Sequence, residues 1–490
     1  MLAPCALSHG PLTVYAVALD GCPDLAPLVC RLPETSPLIW LDSARPHPVT
    51  GRWSLLGFDP WLTFTARGDR MELTTSASTQ VWRAHPLEAL RQILRRYQAP
   101  GSGQPHARAT GLMGYLSYEL NRWIERLPAP VTSDHPLPEM GWFAMRAVIL
   151  LDHGTQRSWI FSIVDPHSPG PVARRQAQDA FDRVHQLIRE STVTDDLTPL
   201  SLSQAPSLSA TSTQSQFEDM VRRALEYIRA GDIFQANLSQ RFTAPWHQPV
   251  VPLYLRLRRI NPSPFACLVR GDEASVVSCS PERLVRVQDR RIDTRPIAGT
   301  RPRGQTPADD AMQSLELLLS EKERAEHIML VDLERNDLGR VCTPGSVGVD
   351  ELMALEAYSH VIHIVSNVSG RLRRGTDAVD VIRAVFPGGT ITGCPKVRCM
   401  EIVRELEPVA RELYSGSLGE LGFDGTLDLN IAIRTMVIRR HRLSFHVGAG
   451  IVADSDPERE YHETLAKAAA LMRALSPAGD ASVSRDAARG

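Results

Sequence analysis

Lysine is nearly absent from this 490-residue chain: of its 54 basic residues, only Lys322, Lys396 and Lys467 are not arginine. A skew this strong reflects a coding bias that places arginine wherever a solvated charge suffices. A retained lysine then hints at a place where a compact ammonium matters, because the two side chains are not interchangeable at shaped sites. An excess of either charge is also missing. The 54 basic and 56 acidic residues leave a net charge of −2, which gives no global electrostatic case for a nucleic-acid partner. Eight cysteines without a CxxC pair read as free thiols in a reducing compartment, not as a disulfide framework. No apolar run approaches the roughly 18 residues that a membrane span needs. The N-terminus lacks a basic n-region and is interrupted by Pro4 and Pro11, so no signal peptide is read there and a cytoplasmic location is expected. A P-loop, a GxGxxG after a strand, an HExxH and any Cys/His zinc spacing are absent too. Nucleotide binding and zinc chemistry therefore lack support.

What is present is an ordinary globular composition, 43% hydrophobic and 22% charged. The length suits roughly two to four units of about 150 residues. Residues 1–190 form an N-terminal domain rich in Pro, Trp and short apolar runs, with strands expected at 12–19, 38–41 and 147–151 and a helix at 174–190. Residues 191–215 are rich in Ser and Thr, carry no aromatic residue, and read as a flexible linker. A second domain, 216–475, follows. Its helices are expected at 217–230 (closed by Gly231), 308–332, 377–386 and 457–475, and its strands at 276–278, 284–287, 361–371, 428–438 and 443–451. Residues 476–490 read as a frayed tail. Helices and strands do not alternate strictly, which favours an α+β fold over a doubly wound sheet.

Several residues have types and spacings that suit chemistry. Glu323 and Glu326 are three apart and share a helix face; Glu460, Glu463 and Lys467 form another stripe directly after the Gly-rich VGAGIVADSD segment. Two such pairs supply the carboxylate oxygens that Mg²⁺ prefers, although a solvated helix face has the same look. Glycines recur in 296–300 (PIAGT), 387–393 (PGGTITG), 415–419 (SGSLG) and 448–450 (GAG). They would let backbone N–H groups approach an anion, or serve as ordinary hairpin and cap glycines. His363 lies in an apolar strand, as a core histidine or a catalyst. Arg434, in NIAIRT, needs an anionic partner if buried; a substrate carboxylate and an internal acid compete for that role. The segment 332–340 (DLERNDLGR) is consistent with caps and ion pairs alone.

In order along the chain, SPERL, PIAGTRPRG, EKERAEHIMLVDLERND, HVIHIVS, FPGGTITGCPK, SGSLGELGFDGTLDLNIAIRT and GAGIVADSDPEREYHET resemble the chorismate-utilising enzymes over about residues 217–472. The segments 39–44 (IWLDSA), 51–60 and 114–128 resemble the partner domain of component I subunits more loosely. The resemblance implies an α+β fold of two large packed antiparallel β-sheets with helices outside. It implies Glu326 and Glu463 as Mg²⁺ ligands, with Glu323 and Glu460 in support and the ring carboxylate of chorismate on the ion. Lys467 and the amides of Gly448 and Gly450 would meet that carboxylate, and Arg434 and Tyr414 the enolpyruvyl carboxylate. Glu282 would be the general acid for the departing hydroxyl. Thr300 and Thr392 would touch ring substituents, and His363 would lie near the enolpyruvyl group.

Gln235 implies a subclass. Members that add water carry a lysine base there, and glutamine cannot be that base, so ammonia is the expected nucleophile. The chain has no amidotransferase nucleophile segment, so a separate glutamine amidotransferase subunit is the expected partner. The motifs resemble most the branch that forms 4-amino-4-deoxychorismate for folate (aminodeoxychorismate synthase component I). Asp42, where tryptophan-sensing members carry glutamate, points the same way. Ala298 points to the alternative, component I of anthranilate synthase, because many members of the first branch have a nucleophilic lysine there. A non-catalytic scaffold would be expected to have lost a metal glutamate or Lys467, and all are present.

Overall fold

The computed structural model describes residues 5–477 apart from 48–49, 102, 130, 132, 134–135, 165, 167–169, 192–199, 201, 305 and 358–360. Residues 192–199 and 201 of the expected linker and nearly all of the expected tail lie outside the described residues.

The architecture follows from strands that are apolar on both faces. Side chains alternate along a strand, and in Trp53–Arg67 the alternation feeds two different cores. Leu55, Leu62 and Phe64 enter the first, and Leu56 and Phe58 the second. Met140–Asp152 and Phe265–Arg270 divide in the same way: Val148 and Cys267 face the first core, Ile149 and Leu268 the second. A strand buried on both sides needs a layer over each face. Strand faces supply most of the first core, joined by the helices Pro86–Arg96 and Ala378–Val385. The second lies beneath Ala26–Arg31, Gly170–Ser191, Val250–Ile260 and Pro457–Ala474, which contribute Val29, Val184, Leu257 and Leu471.

The fold is α+β, as expected. Among the described residues 23 strands join in one hydrogen-bonded network, and the pairings that cross the chain's two halves are antiparallel. Leu38–Asp42 pairs with Phe265–Arg270, and Gly111–Leu116 with Ser417–Gly422. The segments on either side of 191–215 thus share both sheet and core. The end of that linker is tied down, because Ser209–Ala210 pairs with Thr243 and Phe242. Among the described residues no helix is long and apolar enough to cross a membrane.

Two expected elements are broken. The helix read over 308–332 is two helices, Pro307–Leu319 and Glu321–Gly339, divided at Ser320. Ser320 is extended, and its hydroxyl accepts the amide of Glu323 at 3.3 Å, which starts a new helix as an N-cap serine does. The second helix then runs through 332–339, so most of DLERNDLGR is helical. The strand read over 428–438 is likewise two, Leu427–Asn430 and Thr435–Arg439. Arg434 lies between them in the left-handed region, at φ 52°.

Candidate active site

Two neighbouring strands make the floor. Gln235–Pro245 and Arg442–Ile451 pair with Asn237 opposite Gly450 and Ser239 opposite Gly448. Gly448 and Gly450 share one face, and crowding is severe at Gly448, where a Cβ would also lie 2.7 Å from Leu238 O. A Cβ on Gly448 would lie 2.6 Å from Tyr414 Oη and 2.7 Å from Asn237 Oδ1. One on Gly450 would lie 2.7 Å from Gln235 Nε2 and 3.7 Å from Glu326 Oε1. Tyr414 stacks on His446 at 5.3 Å, two residues before Gly448 on that strand.

Two helices bring carboxylates to this floor. Glu326, on Glu321–Gly339, accepts a 2.7 Å hydrogen bond from Gln235 Nε2. Lys467, on Pro457–Ala474, donates to Gly448 O at 3.0 Å and pairs with Glu463 at 2.7 Å. One helical turn before each, Glu323 pairs with Arg301 at 3.2 Å, and Glu460 accepts from the Ser455 hydroxyl at 2.6 Å. All four glutamates are therefore engaged. Among the described residues no three carboxylate, histidine or cysteine groups converge to hold an ion by themselves. The donor chemistry still fits Mg²⁺, which binds through one or two protein carboxylates and completes its shell with water and substrate.

Glu282 lies in the turn between Ser275–Ser280 and Arg283–Gln288. Its carbonyl accepts from Ile431 N at 3.0 Å and its carboxylate from Ile297 N at 3.4 Å. Burial pushes its carboxyl up to about 7, opposed by Thr390, the Ile297 amide and Lys467. A carboxyl that titrates near neutrality suits a general acid. His363, on Val361–Arg371, faces Gly299 O through Nδ1 at 3.3 Å, so Nδ1 carries the proton. Burial pulls its pKa down to about 4, so the ring is neutral. Gly299 is required twice: φ is 65°, and a Cβ would come within 2.9 Å of Glu323 Oε2. The glycine of PIAGT thus sets His363 and Glu323 around one bulge.

Arg434 is also held here. Burial lowers its pKa and Tyr414 raises it, and the guanidinium lies close enough to His363 to lower that ring's pKa. Of the two partners foreseen for it, no internal acid forms an ion pair with it among the described residues. Thr300 pairs with His363 through the backbone, its side chain lying outside the described part. Thr392 is fully buried, and its hydroxyl donates to Gly388 O at 2.9 Å while its carbonyl accepts from Asn237 N at 3.0 Å. It braces the glycine-rich loop. Ala298 is buried on the strand Ile297–Pro302, opposite Ile364. Asp42 lies beside a separate cavity of about 140 Å³, where its carboxylate is taken by Tyr254 Oη at 2.8 Å and Arg258 Nε at 2.5 Å.

Comparison with known proteins places this geometry. Residues 37–473 match the model of the chorismate binding enzymes. The chain belongs to that family. It is 41% identical over 457 residues to anthranilate synthase component 1 of Synechocystis sp., covering 89% of this chain and 90% of that one. It is 38% identical over 437 residues to aminodeoxychorismate synthase component 1 of Bacillus subtilis, covering 89% and 91%. Its structure superposes on anthranilate synthase component I of Streptococcus pneumoniae with a TM-score of 0.75 at 31% identity, over 87% of this chain and 93% of that one. This is an enzyme that acts on chorismate.

Some supports of this candidate site were not foreseen. Glu407 and Arg411 form a fully buried pair; Glu407 takes the amide and hydroxyl of Ser239, and Arg411 donates to Asn237 O and Ile391 O. Their i,i+4 spacing was the available signal, but it describes a surface pair equally well. His327 Nε2 meets the Ser366 hydroxyl at 2.5 Å, with its pKa pulled down to about 4 by burial. Lys396 pairs with Asp337 and donates to Val385 O at 3.1 Å, so its ammonium is structural.

Proposed function

We propose that the protein is the chorismate-aminating component I of a two-subunit synthase. Gln235 carries this reading. Its amide donates to Glu326 at the site floor, and an amide has no basic lone pair with which to take a proton from water. Ammonia brings its own lone pair and needs no such base. A separate glutamine amidotransferase would supply it.

Glu326 and Glu463 would hold Mg²⁺, with Glu323 and Glu460 steadying them. When bound, the ion supplies Lewis-acid polarisation of the ring through the ring carboxylate. Lys467 and the amides of Gly448 and Gly450 complete the binding of that carboxylate. Arg434, which no internal acid pairs among the described residues, takes the enolpyruvyl carboxylate together with the Tyr414 hydroxyl. Neutral His363 stays beside it as a hydrogen-bonding group. Protonated Glu282 gives its proton to the C4 hydroxyl, which departs as water. Thr300 lies on the bulge beside His363, and Thr392 keeps the glycine loop in place.

The proposed product is 4-amino-4-deoxychorismate. A second reading, anthranilate with pyruvate, is favoured by Ala298: a buried methyl group forms no covalent adduct, so ammonia attacks the ring directly. Incubation with chorismate, Mg²⁺ and ammonium separates them. 4-Aminobenzoate that appears only after an aminodeoxychorismate lyase is added supports the first. Anthranilate fluorescence without any lyase establishes the second, and unchanged chorismate overturns both.

A further inference from the structure

The floor of the site offers two hydrogen-bond acceptors that the proposed binding of chorismate leaves idle. Gln235 and Asn237 are two apart on Gln235–Pro245, so their side chains point to one face of the sheet. They are 3% and 8% exposed. Each amide fills the space over a glycine of the facing strand. Asn237 Oδ1 lies 2.7 Å from where a Cβ on Gly448 would stand, and Gln235 Nε2 lies 2.7 Å from one on Gly450. Both backbones are fixed. Asn237 N donates to Thr392 O at 3.0 Å and its carbonyl accepts from Arg411 at 2.6 Å, while the Gln235 carbonyl accepts from Cys399 Sγ at 3.0 Å. The partner of the Gln235 amide settles which way it points. An ionised carboxylate only accepts, so Nε2 is the arm on Glu326 and Oε1 the arm left over. Among the described residues neither Gln235 Oε1 nor Asn237 Oδ1 has a hydrogen-bond partner. Buried oxygens rarely stay so.

These oxygens call for a donor. The two carboxylates of chorismate are acceptors and gain nothing from them, and its C4 hydroxyl goes to Glu282 in the proposed reaction. Ammonia is the remaining reactant, and its three N–H groups and one lone pair complement the pair. Water fits the same oxygens through two O–H groups. Its attack, however, leaves a protonated oxygen, and the amides carry no base to relieve it. Ammonia that attacks becomes a substituted ammonium, which is stable as formed.

We infer that Gln235 Oε1 and Asn237 Oδ1 form the seat of the nitrogen nucleophile. This rests on the reading that ammonia is that nucleophile. Ammonia donates N–H groups to the two oxygens and keeps its lone pair for the ring. The lone pair forms the C–N bond and the C4–O bond breaks. The electron pair of that bond leaves with the oxygen, which takes the Glu282 proton and departs as water. The nitrogen keeps its three hydrogens and the positive charge.

Asn237→Leu keeps the branched shape and removes the acceptor. Initial rates at saturating chorismate, pH 8 and constant ionic strength give its KM for ammonium and for Mg²⁺, and equilibrium binding gives its affinity for chorismate. The expected result is a KM for ammonium raised about tenfold, with the other two constants within about twofold of wild type. Asn237→Asp retains an oxygen there and should hold the KM for ammonium within about threefold. Asn237→Ala stands in if the first variant does not fold. An unchanged KM for ammonium, or one that rises as far with Asn237→Asp as with Asn237→Leu, would overturn the proposal. So would an equal loss of Mg²⁺ or chorismate affinity, which would make Asn237 a metal or ring contact. A wild-type rate that does not rise with ammonium would instead sink the ammonia reading itself, whatever Asn237 does.

Discussion

Two charged clusters meet the strand Gln235–Pro245 only four residues apart, and they obey opposite rules. At Ser239, Glu407 is saturated by a backbone amide, a hydroxyl and the Arg411 guanidinium, all out of water. At Gln235, Glu326 accepts an amide hydrogen bond, and on the neighbouring helix Glu463 pairs with Lys467 with its side chain 49% exposed. A buried ion pair persists only when its remaining bonding capacity is filled. A carboxylate proposed to receive a cation, as Glu326 and Glu463 are, needs partners that can move. Acids at helical spacing thus differ by burial: the Glu407–Arg411 pair is sealed from water, whereas the Glu463–Lys467 pair is open to it.

That contrast can be broken by mutation. Glu326→Ala or Glu463→Ala should lower turnover by roughly 10³-fold or more, since Lewis-acid polarisation is lost, while the thermal melt moves little. Near-normal activity in either would end the metal assignment. Arg411→Ala should do the opposite, costing about 3–5 kcal/mol because Glu407 stays buried and uncompensated. A urea unfolding curve displaced by under ~1 kcal/mol would show that the pair is not the brace described here.

Acidity sharpens the comparison. In its proposed role Glu282 acts protonated, and burial raises its pKa to about 7, so kcat/KM should fall about tenfold per pH unit above that value. A rate flat to pH 9 would exclude it as the acid. The raised pKa also means that folding favours the protonated form, so this group's share of stability is present at low pH and is lost as pH rises through about 7. Thr392→Val should have the smallest effect, about 1 kcal/mol of stability with activity changed only a few-fold, because the hydroxyl bonds to backbone. A loss of activity beyond about 100-fold, some 2.7 kcal/mol, would restore Thr392 as a substrate contact.

Much of the catalytic half was legible because its elements are locally signalled. Gly231 ends its helix with φ 82°, and 361–371 is a strand of that length. The glutamate stripes lie on the helices that their spacing implied. The N-terminal half hid Trp53–Arg67 and showed only 147–151 of Met140–Asp152, because apolar residues on both faces erase the alternation that marks a strand. Ser320 and Arg434 broke elements for reasons that periodicity does not carry: a side-chain cap in one case and a left-handed residue in the other. Glu407 and Arg411 were missed since spacing alone does not distinguish a buried pair from a solvated one.

The central claim is that this floor, with glutamine at 235, delivers ammonia and not water to the ring. The direct test is to run the wild-type protein on chorismate with Mg²⁺ and ¹⁵N-ammonium in H₂¹⁸O and weigh the product. The account predicts ¹⁵N on the ring and no ¹⁸O. A hydroxylated product carrying ¹⁸O, formed at the same rate with or without ammonium, would contradict it.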